Sequence, residues 1–432
     1  MIYRARNGCP ALLRGLDCRP TLWPHMQDNP TQSLEPSIRR IGREIFERAE
    51  AAAPSVLSME FWQKATLDWL TRDDDLKLRL FRFIEVFPAL RTDASVARHL
   101  KEYLGDEKRA GGPLPLPIQA ALAFKREDSP YAQKVAAITR IACARMARQF
   151  VCGATPKEAV ASVKRLRRAG MAFTLDVLGE TVIGDHVAQA HYAVYMRLID
   201  ELSRVAPAWK AAPTVDNAPW GPLPRVNIST KLTSLVTKFD SLDAPAATAN
   251  VLDRLRPLFR AARDRGVFIN IDTEHYAVKD RTFDIVLGVL DEPEFRDWPD
   301  CGLVIQAYLS DAGRDLARVL AWARKRGTPV TVRLVKGAYW DFEVIHSILT
   351  GKPCPVFIQK PHSDAEFERL ARIMLENADV IRPAFASHNV RSIAAVLAME
   401  RALDRPPRTL ELQMLTGMGD PLKRAVVGLE QR

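Results

Sequence analysis

Val330-Thr-Val-Arg-Leu-Val-Lys-Gly-Ala-Tyr-Trp-Asp341 is the stretch of sequence that decides the fold. Its first six residues are mostly β-branched or aliphatic, which is typical of a buried strand. The strand ends on Arg333 and Lys336, and the glycine that follows lets a planar group approach the backbone. Tyr339 and Trp340 then begin a helix, in which their side chains point about 100° apart. One ring can therefore face a ligand while the other packs on a planar group; an ordinary pair of core aromatic residues is the alternative.

Short apolar runs alternate with amphipathic, helix-length segments on both sides of this stretch. This order indicates successive βα units and a parallel sheet. The predicted strands are residues 171–178, 226–230, 267–272, 303–308, 330–335, 380–387 and 410–415. The helices predicted between them are residues 251–265, 281–290, 314–326, 364–376 and 392–403. The fold class is therefore predicted to be α/β, a (β/α)₈-type TIM barrel with seven of its units present, because a closed barrel of this kind has eight strands.

The region before the first predicted strand has apolar residues at helical spacing instead. The pattern starts after residue 37 and recurs over residues 59–70, 76–90 and 132–150. Thr155-Pro156 then provides the N-cap and first-turn residues of another helix. We predict a disordered tail over residues 1–36, an α-helical accessory domain over 37–168, and a barrel domain over 169–432 that is incomplete at its C-terminus.

The composition is that of a globular protein, with 47% apolar and 26% charged residues in a chain of 432. No apolar run reaches the about 18–20 residues that a membrane-spanning helix needs, so a cytoplasmic protein is expected. The net charge of +10 favours anionic partners and is compatible with peripheral contact at the inner face of the membrane. No zinc-finger or zipper spacing accompanies this charge, so no nucleic-acid partner is expected. The cysteine spacings match no metal-ligand pattern, and no Gly-x-Gly-x-x-Gly motif is present, so neither a metal nor a Rossmann site is expected.

Polar residues follow the predicted strands where each strand ends. Because the carboxyl ends of parallel strands meet at one face of a barrel, we expect these side chains to surround one cavity. Charges in such a cavity are costly unless they are paired or bind a ligand, so the set indicates a site for a polar or zwitterionic ligand. For any single residue, a salt bridge between strands is the alternative. The set is Asp176, Glu180, Lys231, Asp272, Glu274, Gln306, Tyr308, Arg333, Lys336, Tyr339, Trp340, Asp341, Ser387, His388, Asn389 and Gln413.

Seven short motifs accompany these strand ends. They are Leu175-Asp-Val-Leu-Gly-Glu, Asn227-Ile-Ser-Thr-Lys-Leu, Asn270-Ile-Asp-Thr-Glu, Gln306-Ala-Tyr, Arg333-Leu-Val-Lys-Gly-Ala-Tyr-Trp-Asp, Phe385-Ala-Ser-His-Asn and Gly417-Met-Gly-Asp-Pro-Leu. In type and order they resemble the strand-end motifs of the proline dehydrogenase family, and within it those of the proline utilisation A flavoproteins. The resemblance runs from about residue 40 to the end of the chain.

The resemblance implies a distorted (β/α)₈ barrel that binds FAD noncovalently. It also implies oxidation of L-proline to Δ¹-pyrroline-5-carboxylate by hydride transfer to flavin N5, with a membrane quinone as electron acceptor. Bifunctional members of the family carry an aldehyde dehydrogenase domain after this region, and that domain is an expected partner. The basic residues suit such chemistry, because a cation near the flavin stabilises negative charge on the reduced ring.

The same resemblance assigns roles to single residues. The implied cofactor contacts are Gln306, Arg333, Lys336, Gly337, Trp340, Lys360, His388, Asn389 and Gln413. The implied catalytic residues are Lys231, Asp272, Tyr339 and Arg333, with Arg333 near the reactive nitrogen of the flavin. Lys231 would pair with the proline carboxylate, Asp272 would hold basic side chains in place, and Tyr339 and Leu415 would pack against the pyrrolidine ring. Glu180 resembles the gate carboxylate of the family, and His275 is expected to be peripheral.

The sequence departs from the family pattern at its end. In the family, an eighth strand and helix complete the barrel and bring two arginines that clamp the proline carboxylate. No segment of this sequence matches that helix, so we expect the chain to be a fragment of a longer reading frame with weakened substrate affinity.

Three other functions remain open at this point. A flavin-binding remnant without turnover would follow from an incomplete barrel. A Schiff-base aldolase could use Lys231 as its nucleophile, because barrel lysines perform that chemistry. A nucleic-acid-binding protein would account for the charge, but residues 1–36 show no DNA-binding pattern.

Overall fold

The predicted strands form one parallel sheet in the computed structural model of the chain. The structure describes residues 32–52, 74–105, 119–120, 122–179, 182–237, 239 and 244–429. Its strands are β1 (Leu175–Asp176), β2 (Asn217–Ala218), β3 (Gly221–Pro222), β4 (Val226–Lys231), β5 (Val267–Asp272), β6 (Cys301–Gln306), β7 (Val330–Val335), β8 (Ile381–Ala386) and β9 (Glu411–Gln413). The seven-stranded sheet has the order β1-β4-β5-β6-β7-β8-β9, and β2 and β3 form a separate antiparallel hairpin.

Among the described residues, five α-helices precede β1, and further helices lie between and after the strands that follow. They are α1 (Glu35–Ala51), α2 (Asp74–Val86), α3 (Asp93–Leu104), α4 (Pro130–Phe150), α5 (Pro156–Arg168), α6 (Asp185–Val205), α7 (Pro213–Asp216), α8 (Leu232–Leu235), α9 (Ala244–Asp264), α10 (Tyr276–Leu290), α11 (Ala312–Arg326), α12 (Trp340–Thr350), α13 (Lys360–Glu376), α14 (Val390–Ala402) and α15 (Asp420–Val427). The strand order follows the chain order, which confirms the predicted α/β class of successive βα units in a curled, barrel-like sheet.

The sheet is buried because its strands are rich in aliphatic residues and helices cover it. All six residues of β6 are buried, and in β5 only the last is not. Such continuous burial is typical of parallel sheets. From the helical layer, Leu255 and Phe259 of α9 are fully buried. This core fixes the positions at which the strands end, and therefore the positions of the polar residues that follow.

Several elements begin or end a few residues from their predicted bounds. The first strand pairs with β4 only at Leu175 and Asp176, so it is much shorter than residues 171–178. The helices α10 and α13 begin earlier than predicted, at Tyr276 and Lys360. Pro361 in the first turn of α13 suits the unpaired N–H groups of a helix start but adds no apolar periodicity.

The chain divides into two compact units. The first consists of residues 1–49, 154–414 and 422–432, and the second of residues 50–153 and 415–421. The sheet therefore shares a unit with α1 and α5, whereas residues 37–168 were predicted as one separate domain. The predicted helix at 59–70 lies outside the described residues.

The end of the predicted disordered tail, residues 1–36, is helical in the structure. A 3₁₀-helix over Gln32–Leu34 leads into α1, and residues 1–31 lie outside the described residues. The Glu35 carboxylate accepts a hydrogen bond from Arg39, and Arg391 also donates to it. These contacts, Arg39 first, hold the pKa of Glu35 below its ordinary value. The pairing of Glu35 with Arg391, 356 residues away, does not show in local composition.

The second unit has its own apolar core between α2, α3 and α4. Phe83, Val96, Ala97, Phe124 and Ala132 are among its buried members. At the start of α4, Ser129 caps the helix by accepting a hydrogen bond from the Ala132 N–H. None of the helices that the structure describes is long and apolar enough to cross a membrane.

Glu400 on α14 gives a testable link between pH and stability. Burial raises the pKa of this carboxyl from 4.5 to about 7. The unfolded chain therefore ionises first as the pH rises, and the free energy of unfolding falls between about pH 4.5 and pH 7. We expect Glu400→Gln to remove this loss and to raise the free energy of unfolding at pH 8 by about 2–3 kcal/mol, with little effect at pH 4.

Urea unfolding of the two proteins at pH 4 and pH 8 checks this prediction. Glu376→Gln is the matched control, because Glu376 is an exposed glutamate on α13 and its change should leave the pH profile of stability unaltered. An unchanged profile in the Glu400 variant would show that the buried carboxyl does not set it.

Candidate active site

Charged side chains converge at the rim, by which we mean the carboxyl ends of the sheet strands and the residues that directly follow them. Asp176 ends β1, Lys231 ends β4, and Asp272 ends β5. Arg333 lies within β7, where its neighbour in β6 is Val304. Because β1, β4 and β5 are adjacent and in register, residues far apart in sequence meet here.

The four side chains form a row of alternating charge. Lys231 Nζ donates to both carboxylate oxygens of Asp176, at 2.8 and 2.9 Å. The same ammonium lies 3.7 Å from Asp272 Oδ2. Arg333 donates through a terminal nitrogen to Asp272 Oδ1 at 2.9 Å. Asp272 therefore links the two cations, and the row runs Asp176, Lys231, Asp272, Arg333 across the rim.

The two carboxylates determine the protonation state of Lys231. Burial of this side chain, which is 6% exposed, would lower its pKa. Asp176 and then Asp272 outweigh that effect, so the pKa of Lys231 is raised above its ordinary value. A lysine that forms a Schiff base needs a lowered pKa, because only the neutral amine is a nucleophile. The charge row therefore disfavours the aldolase alternative.

Two buried polar side chains within the sheet, Ser229 and Asn270, form hydrogen bonds with Asp272 and Arg333. Asn270 donates from its amide to Asp272 Oδ1 at 3.0 Å and to Ser229 Oγ at 3.2 Å. Arg333 also donates to Ser229 Oγ, at 3.3 Å. A Cβ on Gly302 would lie 2.8 Å from Asn270 Oδ1, so the glycine makes room for this amide. Our sequence reasoning gave Ser229, Asn270 and Gly302 no role, although Ser229 and Asn270 lie in motifs that it singled out.

Gln306 Oε1 and Arg333 Nε are among the buried polar atoms at this site that have no hydrogen-bond partner within the described residues. The other end of the Gln306 amide is fixed, because Nε2 donates to the carbonyl oxygens of Thr273 and Glu274, at 3.1 Å each. An unpaired buried polar atom costs about 1–3 kcal/mol. A ligand that carries both a donor and an acceptor would relieve both costs.

The motif after β7 is held against the end of β6. Tyr308 donates its N–H to the carbonyl oxygen of Lys336 at 2.7 Å, and its ring packs over Gly337. Gly337 has a φ of +130°, and a Cβ there would lie 2.3 Å from the Tyr308 ring. The planar group that approaches this glycine in the structure is thus a protein side chain. Cofactor contact at Gly337 stays a prediction.

The two aromatic residues that follow occupy the first turn of α12 as predicted. Tyr339 is the N-cap residue, and Trp340 is the first residue of the helix. The Trp340 indole N–H donates to the carbonyl oxygen of Phe357 at 2.9 Å. This hydrogen bond and the helix start hold both rings at the rim.

Lys336 and Lys360 share a carboxylate that the sequence reasoning missed. Both ammonium groups form ion pairs with Asp364, which lies four residues after Lys360 on α13. Burial lowers the pKa of Lys336, although Asp364 acts in the opposite direction. The spacing between Lys360 and Asp364 is a local signal that could have suggested their pairing.

The residues predicted after β8 and β9 have local partners. Asn389 Oδ1 accepts the Ser392 N–H at 3.1 Å and so caps α14. The Gln413 amide donates to Glu411 at 2.6 Å. His388 is half-buried just before Asn389. The predicted cofactor contacts of His388, Asn389 and Gln413 stay predictions.

The roles predicted for Leu415 and Glu180 stay predictions. Leu415 belongs to the second compact unit and is 66% exposed. Glu180, the predicted gate, lies outside the described residues.

His275, expected to be peripheral, has two close aromatic contacts at the rim. Its ring centroid lies 4.3 Å from that of Tyr339 and 4.2 Å from that of Phe342. The position directly after the Asn270-Ile-Asp-Thr-Glu motif was the signal that could have drawn attention to it.

Comparison with known proteins identifies matches along most of the chain. Residues 159–432 match the family model described as proline dehydrogenase, and residues 35–150 match that of the proline utilization A N-terminal domain. The bifunctional protein PutA of Escherichia coli (strain K12) is 30% identical over 284 residues, which are 66% of this chain and 21% of that protein. Proline dehydrogenase 1 of Bacillus subtilis (strain 168) is 29% identical over 272 residues, which are 63% of this chain and 74% of that protein.

A solved structure extends this similarity to the fold. Proline utilization A from Bdellovibrio bacteriovorus, inactivated by N-propargylglycine, has a TM-score of 0.82 and 37% identity, and the match covers 92% of this chain and 39% of that one. The chain thus spans about a fifth of the length of the bifunctional relatives it matches. Its sheet of successive βα units, its rim of alternating charges and the match over residues 159–432 establish that the chain belongs to the proline dehydrogenase family.

Proposed function

We propose that this chain carries out the proline dehydrogenase reaction, the FAD-dependent oxidation of L-proline to Δ¹-pyrroline-5-carboxylate and the first step of proline catabolism. The observation that carries the proposal is the row of alternating charges from Asp176 through Lys231 and Asp272 to Arg333. A zwitterionic amino acid presents one charge of each sign, and this row offers complementary charges a few ångströms apart. The row lies within the segment that matches the family.

FAD fits the donor and acceptor set of the site. The edge of its isoalloxazine ring carries carbonyl acceptors and an N–H donor, which suit the unpartnered Arg333 Nε and Gln306 Oε1. Lys336 and Lys360 add positive charge that suits its phosphates. When bound, FAD would supply the hydride acceptor at N5. We also propose contacts from Gly337, Trp340, His388, Asn389 and Gln413.

Each charged residue of the row has a separate task in this proposal. Lys231 binds the substrate carboxylate, in exchange for part of its contact with the half-exposed Asp176. Asp272 holds Lys231 and Arg333 apart at fixed positions. Arg333, already oriented by Asp272 and Ser229, stabilises negative charge that develops next to it during hydride transfer. Such preorganised charge needs no reorganisation during the reaction.

Apolar side chains complete the pocket. Tyr339 packs against the pyrrolidine ring and excludes water from it, which favours a close approach of the reacting carbon to its acceptor. We propose the same packing role for Leu415 and a gating role for Glu180.

The remaining parts of the proposal concern partners. We propose a membrane quinone as the electron acceptor, reached by peripheral contact of the basic surface with the inner face of the membrane. We propose an aldehyde dehydrogenase domain as the consumer of the product, and the relatives named as bifunctional proteins support this. No nucleic-acid partner is proposed.

A dye-reduction assay tests the function. Assayed with FAD and with the family's eighth strand and helix supplied, the chain is expected to reduce an artificial acceptor with L-proline but not with L-alanine. N-propargylglycine, which inactivated the Bdellovibrio protein, is expected to abolish this activity with time. We expect Arg333→Met to lower kcat by about 10²–10³-fold, the usual cost of one charge-stabilising donor. Arg318→Met is the matched control, because Arg318 forms an exposed ion pair with Asp284 on the outer helices.

Two outcomes would contradict this proposal. Binding of FAD without any L-proline-dependent reduction would favour a flavin-binding protein without turnover. Trapping of a carbonyl substrate on Lys231 by borohydride would favour the aldolase.

A further inference from the structure

We propose that His275 is a positioning residue that holds the Tyr339 ring in place as a wall of the substrate pocket and so contributes to the preference for a five-membered ring. The inference rests on the proposed function, because it takes Tyr339 as the residue that packs against the pyrrolidine ring. His275 itself touches Tyr339 and not the substrate.

The His275 imidazole packs against two aromatic rings of another loop. His275 precedes α10 as its N-cap residue, in the loop after β5, whereas Tyr339 and Phe342 belong to the start of α12 after β7. The imidazole contacts both rings, with centroid distances of 4.3 and 4.2 Å and interplanar angles of 56° and 43°. Aromatic pairs usually lie about 4.5–7 Å apart, so both contacts are close. The orientation of Tyr339 therefore depends on a ring from another βα loop.

A buried glutamate keeps the loop before α10 and the start of α12 together. Glu343 on α12 is 3% exposed, and its Oε1 accepts the backbone N–H of Tyr276, the residue after His275, at 2.7 Å. The same oxygen lies 3.9 Å from His275 Nδ1. The buried carboxylate thus ties the start of α10 to the start of α12. The loop that carries His275 cannot move away from α12 without loss of this hydrogen bond.

The exposure of His275 separates a role in positioning Tyr339 from a role in the stability of the fold. The His275 side chain is 37% exposed, so its truncation removes less buried surface than truncation of a core residue would. Its aromatic contacts are with one predicted substrate residue and with Phe342, which is 48% exposed. Loss of the ring should therefore change the pocket more than it changes the fold.

The test compares His275→Ala with His275→Phe, which keeps an aromatic ring against Tyr339 and Phe342. His99→Ala is the matched control, because His99 also stacks on a tyrosine, Tyr103, in the second compact unit. Three quantities are measured on the FAD-loaded chain: the KM for L-proline, kcat, and the Kd for cyclopentanecarboxylate by calorimetry. The last ligand has the ring and the carboxylate but no amine to oxidise, so it reports binding without turnover.

We expect His275→Ala to raise both the KM and the Kd by about 3- to 10-fold, the range of one aromatic contact, while kcat stays within about 2-fold. His275→Phe should restore both values, and His99→Ala should match the wild type. The alanine variant should also discriminate less against pipecolate, the six-membered homologue of proline. Unchanged KM and Kd in His275→Ala, or a phenylalanine variant as impaired as the alanine variant, would overturn the inference. If the wild type binds FAD but does not oxidise L-proline, the proposed function fails, and the Kd comparison alone then decides the role of His275.

Discussion

Asp272→Ala is expected to lower the free energy of unfolding by about 3–5 kcal/mol and to lower kcat/KM for L-proline by at least about 10³-fold. The Asp272 carboxylate accepts from Arg333 at 2.9 Å and from Asn270 at 3.0 Å, and lies 3.7 Å from Lys231 Nζ. The Arg333 and Lys231 side chains are only 12% and 6% exposed. Removal of the shared carboxylate leaves their charges under-compensated in a buried setting, which is the costly way to break an ion pair.

The stability measurement is urea unfolding without FAD, because a bound ligand would add its own contribution to the apparent stability. Asp284→Ala is the matched control, since Asp284 pairs with Arg318 on the surface and such pairs contribute about 0–1 kcal/mol. The stability loss of Asp272→Asn should lie between those of Asp272→Ala and Asp284→Ala, because asparagine keeps the shape of the side chain without its charge. A stability loss in Asp272→Ala no larger than that of the control would show that Asp272 does not hold the rim together.

Gly337→Ala is expected to destabilise the protein by about 3–5 kcal/mol, through two separate effects. The φ of +130° is strained for any residue with a Cβ. The new methyl group would also lie 2.3–2.5 Å from three atoms of the Tyr308 ring. Tyr308 is 3% exposed and cannot move aside easily, so the residues after Gly337 must shift. Such a shift would displace Tyr339 and Trp340, and we expect L-proline oxidation to be lost as well.

Gly327→Ala separates the two effects. Gly327 ends α11 with a φ of +79°, and a Cβ there would meet no atom within 4 Å. This control should therefore cost only the backbone strain, about 1–2 kcal/mol. A double variant with Tyr308→Leu should recover part of the loss at Gly337, because the ring atoms responsible for the overlap are gone. Equal stability of the two alanine variants would show that the Tyr308 ring does not restrict this position.

The sequence alone predicted all seven strands of the parallel sheet and most of its helices. These elements follow from local periodicity, which extends over only a few residues. The same reasoning predicted that Asp176, Lys231, Asp272 and Gln306 would gather, because every parallel strand end reaches one face of the sheet. The family resemblance was confirmed by the match over residues 159–432.

Only the tertiary structure decided which of these residues contact one another. Lys231 pairs with Asp176, 55 residues away, and Arg333 meets Ser229, 104 residues away. The partner of Lys336 proved to be Asp364, the ring over Gly337 proved to be Tyr308, and a histidine taken as peripheral proved to lie against Tyr339. Strand formation depends on neighbours in the chain, whereas a hydrogen bond or ring contact depends on strand register and loop path to within about 1 Å, which short-range patterns do not encode.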